Sequence, residues 1–264
     1  MDAVNARPTY APLPGAAPLR SMLLAQTALE VRMVLRNGEQ LLLTLVIPVL
    51  VLVVFGSVEL MDLGDRSERM DYLVPGVLAL AVISTAFTGL AIGTGFERRY
   101  GALKRLGSTP LPRGALLAAK GLAVLCVEAL QVALLCGVGL AFGWEPRGSA
   151  PGSALSALAL VLAGTAAFAA LGLLMAGTLR AEATLAAANL VYLLLLVTGG
   201  IAVPLDRFPD VARPALELLP AGALADGFRD VLRDGAGLPL APLLVLAAWA
   251  TVAGWLAVRT FRWE

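Results

Sequence analysis

The sequence predicts an all-α polytopic membrane protein: six transmembrane helices, an N-terminal amphipathic interfacial helix, and an exterior re-entrant helical segment after the fifth span. Three observations carry that expectation. First, six runs carry no charge, or only one: Leu41–Val58, Tyr72–Phe96, Gly121–Trp144 (interrupted by Glu128), Gly148–Leu179, Ala183–Leu205 and Gly235–Val258. A helix rises about 1.5 Å per residue and the hydrocarbon core is about 30 Å thick, so roughly 20 apolar residues span it. Second, the runs are solidly apolar. Strands of a barrel would alternate polar and apolar positions, and lipid accepts only helices or a closed barrel. Third, 59% of the residues are hydrophobic and 15% charged, against roughly 25% charged in soluble domains.

Taken in order, residues 1–18 carry Pro8, Pro12, Pro14 and Pro18 without an apolar core. That composition suits a disordered cytoplasmic tail and not a cleaved signal peptide. A transmembrane domain over 19–258 follows. Within 19–40, Leu24, Ala28, Val31 and Leu35 recur at helical spacing while Arg32, Arg36 and Glu39 fall on another side. Such a helix is expected to lie along the inner membrane surface, with Asn37-Gly38 stopping it where the chain turns into the bilayer. The spans are expected at about 41–58, 72–96, 115–143, 150–179, 183–205 and 237–258. Pro48 is placed to kink the first. Gly89 and Gly93 in the second have a spacing that admits a neighbouring helix. The fourth run is long enough to require a tilt or a break, and Ala159, Ala163 and Ala167 give it a small-residue stripe.

Charge sets the orientation. Of the 20 Lys and Arg residues, 13 fall in the N-terminal segment, the second and fourth loops and the 259–264 tail, against 7 in the other loops. Acidic residues divide the opposite way, 6 against 12, with Glu128 left in mid-span. The positive-inside rule therefore places both termini and the second loop in the cytoplasm. After the fifth span, residues 206–234 carry Asp206, Asp210, Asp226, Asp230 and Asp234, yet Leu224, Phe228 and Leu232 repeat every four residues. Two short amphipathic helices dipping into the outer leaflet fit that pattern.

Several function classes are excluded early. The chain has no histidine, which removes zinc-protease motifs, Ser–His dyads and haem ligation by His. Its two cysteines, Cys126 and Cys136, are ten helical residues apart, too far to pair, and read as packing residues. No G-x-x-x-x-G-K-[ST] motif occurs, so the chain has no P-loop of its own. A secondary proton-coupled carrier would need several intramembrane charges, and Glu128 stands alone at mid-span. Glu128 should face the protein interior, either as helix-packing glue with Gln131 or as a proton or cation site.

The second loop, 97–113, holds a short basic helix ended by Thr109-Pro110. Its run Glu97-Arg98-x-x-Gly101-x-Leu103-x-Arg105-Leu106-x-x-Thr109-Pro110-Leu111 resembles the signature loop of ABC-2-type transporter permeases, including the membrane subunits of daunorubicin-resistance exporters. The likeness extends over the six spans, the fifth exterior loop and the Ala257–Trp263 ending. It implies a permease for a hydrophobic or amphipathic compound, with export of a lipid-linked polysaccharide as the alternative within the family. It implies two copies of this chain and two of an ATPase subunit, which binds the ATP and Mg; no cofactor is expected in this chain, and no nucleic-acid partner. The loop residues Glu97, Arg98, Arg99, Gly101, Leu103, Lys104, Arg105, Leu106, Thr109, Pro110 and Leu111 would form the element that couples to that ATPase. Arg98, Arg99, Lys104 and Arg105 would meet either its acidic residues or lipid headgroups. Likeness to distant exporters makes Ser84, Thr85 and Thr88 on the second span, with Asn189, Tyr192 and Thr198 on the fifth, candidates for the substrate pathway; the alternative is interhelical hydrogen bonding.

Overall fold

A computed structural model of the chain describes residues 15–38, 42–57, 66–147, 150–200, 209, 211 and 213–260. All regular structure among these residues is helical. Helix α1 (Leu19–Arg36) is followed by a π-helical turn, Leu42–Val46, that leads into α2 (Ile47–Ser57). Helices α3 (Arg66–Val82) and α4 (Leu90–Arg99) are joined without interruption by a π-helical segment, Ile83–Gly89. Next come α5 (Ala102–Gly107), α6 (Arg113–Ala141), α7 (Ala150–Thr178) and α8 (Ala181–Thr198). The short α9 (Arg213–Glu217), α10 (Pro220–Leu232) and α11 (Leu240–Thr260) complete the order.

Among the described residues, 5 helices are long and apolar enough to cross a membrane: Ser67–Arg99, Arg113–Ala141, Pro151–Thr178, Ala181–Thr198 and Leu240–Thr260. The span expected over 41–58 is represented by the shorter apolar helix Thr44–Ser57, with neighbouring 39–41 and 58–65 outside the described residues. The expected 1–14 tail, residues 201–208 of the fifth run and exterior segment, and 261–264 also lie outside them.

Pro48 falls at the start of α2, just after the π-helical turn; it has no N–H to offer the turn before it, and the Thr44 carbonyl accepts the Gln131 amide instead. The irregularity of this segment is the π turn before it. α7 runs unbroken for 29 residues, so the long fourth run is accommodated without a break. The Ser67–Arg99 helix is the centre of the bundle. Its Val74, Leu78, Ile83, Ala86 and Phe87 belong to one core with Leu160 and Phe168 of α7, Leu224 and Phe228 of α10, and Leu246 of α11. The close approach to this helix is made at Gly172 of α7: a Cβ there would lie 2.8 Å from the Phe87 carbonyl oxygen. That contact falls on the π-helical segment, a common site of local widening. Gly93, by contrast, has no neighbour within 4 Å of where its Cβ would stand.

Two helices face differently from the pattern in their sequences. In α1 the side chains turned to the protein are Gln26 and Glu30, while Leu24, Leu29, Met33 and Leu35 are exposed. That arrangement makes sense where the solvent is lipid, which takes the apolar stripe as readily as a core does. In α10 nearly every residue is buried, Arg229 included, and the helix packs against α3, α7 and α11. It is enclosed by the protein rather than laid against lipid.

Candidate functional site

The loop singled out by its sequence forms a compact hook at the Arg99 end of the central helix. Gly101 turns the chain with φ +73°, a left-handed conformation that strains any residue with a Cβ. Its N–H donates to the Arg98 carbonyl (3.0 Å) and the Tyr100 N–H to that of Phe96 (2.9 Å), satisfying orphan carbonyls at the end of α4. Helix α5 then runs for 6 residues. Leu103 is fully buried against Leu116 of α6, with Leu106, Leu111 and Leu117 around them. This cluster is separate from the main core, so α5 is mounted on α6 by its own small apolar anchor. Lys104, Arg105, Ser108, Thr109 and Pro110 point outward and are exposed. The Thr109 hydroxyl donates to the Leu106 carbonyl (2.6 Å) and that of Ser108 to Arg105 (2.7 Å), closing the helix before Pro110.

Arg98 and Arg99 take a different role from the rest of the loop. Arg98 donates to the carbonyl of Leu179, in the connection between α7 and α8, and Arg99 pairs with Glu182 in the first turn of α8.

The strongest electrostatic feature was not legible as a site in the sequence. The Lys120 ammonium of α6, 2% exposed, donates to Glu97 of α4 (2.6 Å) and to Glu30 of α1 (3.0 Å). Gln26 donates to Oε1 of Glu30 at 2.8 Å. Three helices are thereby bound by buried charge immediately beside the hook. Lys120 reads in the sequence as one more loop cation. The available signal was Glu30, an acid set among Arg20, Arg32 and Arg36 on an otherwise cationic helix.

At mid-span the candidates divide. The Thr85 hydroxyl donates to Gln131 (2.9 Å), whose amide donates to the Thr44 carbonyl (2.7 Å); Thr85 thus joins the first three spans. Ser84 and Tyr192 are neighbours where the central helix meets α8. The Thr88 hydroxyl is buried without a protein partner. Asn189 is exposed and bonds back to the Leu185 carbonyl (3.0 Å), as Thr198 does to Leu194 (2.7 Å). Glu128 is 1% exposed and accepts the Thr165 hydroxyl of α7, while its other oxygen has no partner. Gln131, three residues on, serves different neighbours.

The Arg66 end of the central helix is held by Arg229 of α10. Its guanidinium lies 4.7 Å from the centre of the Tyr72 ring and donates to the Gly200 carbonyl, to the Tyr72 hydroxyl (3.4 Å) and to Asp226 (3.0 Å). The Arg147 N–H donates to the Leu232 carbonyl (3.0 Å), and its side chain reaches Asp71 at 3.4 Å. Among the described residues no cluster of three or more Cys, Asp or Glu side chains is placed to hold a metal.

An apolar helical bundle with an exposed basic hook between two of its spans defines a polytopic membrane protein. A family model described as ABC-2 type transporter matches residues 23–232, and the chain belongs to that family. It is also similar to YvfS of Bacillus subtilis (strain 168), a transport permease by its name, with 26% identity over 223 residues, 81% of this chain and 87% of that one. Members of the family are membrane subunits rather than ATPases, so membership makes this chain a permease and implies an ABC ATPase as partner.

Proposed function

We propose that the chain is the permease subunit of an ATP-driven exporter that moves a hydrophobic or amphipathic compound, such as a drug, secondary metabolite or lipid, out of the cell. In this reading the hook Ala102–Gly107, within loop 97–113, seats in a cleft of a separate ATPase. Two copies of each subunit assemble in the cell membrane, with both termini cytoplasmic. Residues 41–58 complete a sixth span, and 206–234 form a re-entrant segment on the exterior. The observation that carries the reading is the hook itself: a basic, exposed helix braced on a private apolar anchor and bolted to three helices by the Glu97–Lys120–Glu30 array. Such a mount transmits a rigid-body displacement of the ATPase into the spans instead of absorbing it. Ser84 and Tyr192, neighbours across the second and fifth spans, are the pathway candidates this reading carries forward.

The test is reconstitution with the ATPase that co-purifies with the chain. ATP-dependent uptake of an amphipathic dye into inverted vesicles is expected, together with its loss when Arg105 and Lys104 are both changed to Glu. Uptake by vesicles that hold only this chain and a proton gradient would overturn the proposal.

A further inference from the structure

Beside the buried charge array lies a cleft of about 250 Å³ between α1, the start of the first span, the central helix and α6. Its charged walls are Glu30, Glu97 and Lys120, two carboxylates to one ammonium. Lys120 is already held by both carboxylates and is 2% exposed, whereas the Glu97 side chain is 25% exposed. The described walls therefore carry one uncompensated negative charge, and Glu97 is its accessible bearer. Thr94, one turn before Glu97, also lines the cleft; it is 1% exposed and its hydroxyl has no protein partner. A buried hydroxyl without a partner is destabilising unless something hydrogen-bonds it. The remaining wall includes Val124 and Val127, which are apolar.

We infer that this cleft binds an ammonium head group carried on an apolar chain, with Glu97 supplying the countercharge and Thr94 a hydrogen-bond acceptor. A cation is selected because an anion would meet net negative charge, and a neutral head would leave that charge uncompensated in a poorly hydrated place. The volume suits the head and the first carbons, and the rest of the ligand extends into the bilayer. Two sources share this chemistry, a soluble amphipathic amine and an aminophospholipid. The site is separate from the Ser84–Tyr192 contact, and its occupancy requires no ATPase.

The experiment uses the full chain in phosphatidylglycerol nanodiscs without ATP, labelled with a diazirine-bearing dodecylammonium and mapped by peptide mass spectrometry. Saturable labelling of α1, α4 and α6 peptides is expected, displaced by dodecylammonium and not by dodecanol. Glu97→Gln should weaken binding at least about tenfold, as befits a charge-assisted contact. Thr94→Val, which leaves the ion pairs in place, should weaken it roughly threefold. Displacement by added phosphatidylethanolamine assigns the head group to a lipid; displacement by dodecylammonium alone assigns it to a soluble amine, and both support the site. Equal displacement by dodecanol, or wild-type binding by Thr94→Val and Glu97→Gln proteins that remain folded, overturns it. Because transport is not read, failure here leaves the ATP-driven reading standing.

Discussion

The central helix Ser67–Arg99 is tied down at both ends by buried charge, yet the two ends use different chemistry. At the Arg99 end, one ammonium is shared by two carboxylates from separate helices, and Lys120 is 2% exposed. At the Arg66 end, Arg229 is satisfied largely by neutral groups: the Tyr72 ring and hydroxyl and the Gly200 carbonyl. Its carboxylate partner Asp226 is 32% exposed. Removing a member of the first array strands charge in a dry place, while the second leaves a partner that water can reach. The first arrangement is brittle and stiff, as suits the mount of a hook. The second is a seal that fastens α10 into the bundle.

The largest expected effect follows from that contrast. Lys120→Met leaves the buried Glu30 and the part-buried Glu97 without a cation, and unfolding in nanodiscs should show a loss of about 3–5 kcal/mol. Adding Glu30→Gln and Glu97→Gln should restore most of it. If Lys120→Met is no less stable than Arg229→Met, the two ends are equivalent and the contrast fails.

Next in size is a local effect. Leu103→Ala removes the anchor of α5, and a buried Leu→Ala change costs about 2–5 kcal/mol. Because the cluster is separate from the main core, the cost should fall on opening of the hook rather than on global unfolding. Tryptic cleavage after Lys104 or Arg105 should rise by at least about tenfold while the thermal midpoint stays near wild type. A matching fall in the midpoint would show that the hook unfolds only with the bundle. ATP-driven uptake should drop with the same substitution.

Arg229→Met should cost less than Lys120→Met, about 1–3 kcal/mol, since its neutral acceptors lose hydrogen bonds without being left as buried ions. The smallest effect is one of pH. Burial raises the Asp226 carboxyl above its ordinary 3.8, outweighing the attraction of Arg229 that lowers it. A carboxyl raised in the folded state favours folding when protonated. Its contribution is full below 3.8 and is lost as pH rises through the folded-state value. Wild type should therefore lose stability relative to Asp226→Asn as pH rises from about 4 toward neutrality. Parallel curves for the two proteins would show that Asp226 ionises without cost and that this end is wetter than its burial implies.

The sequence by itself determined the helices long enough to cross a membrane, because length and apolarity are local properties that lipid tests directly. It also marked the hook's short basic helix and its Thr109-Pro110 stop, which are local chemistry, whereas the turn at Gly101 and the docking of Leu103 on Leu116 came only with the fold. In α10 the Leu224, Phe228 and Leu232 repeat located the apolar side but assigned it to the outer leaflet, whereas those side chains are buried within the protein. Which face of α1 meets the protein was decided only in three dimensions. Leu24 and Leu35 share an apolar stripe, yet lipid and protein interior both accept such a stripe, so periodicity could not say that Gln26 and Glu30 turn inward. The Lys120 array was hidden for a related reason. Glu30 and Lys120 are 90 positions apart in the chain, and only the packing of α1 on α6 makes one the countercharge of the other. Thr85 and Gln131 were likewise separable from Ser84 and Tyr192 only by seeing which helix each side chain reaches, since a hydroxyl in a membrane helix bonds whatever acceptor the bundle brings within about 3 Å.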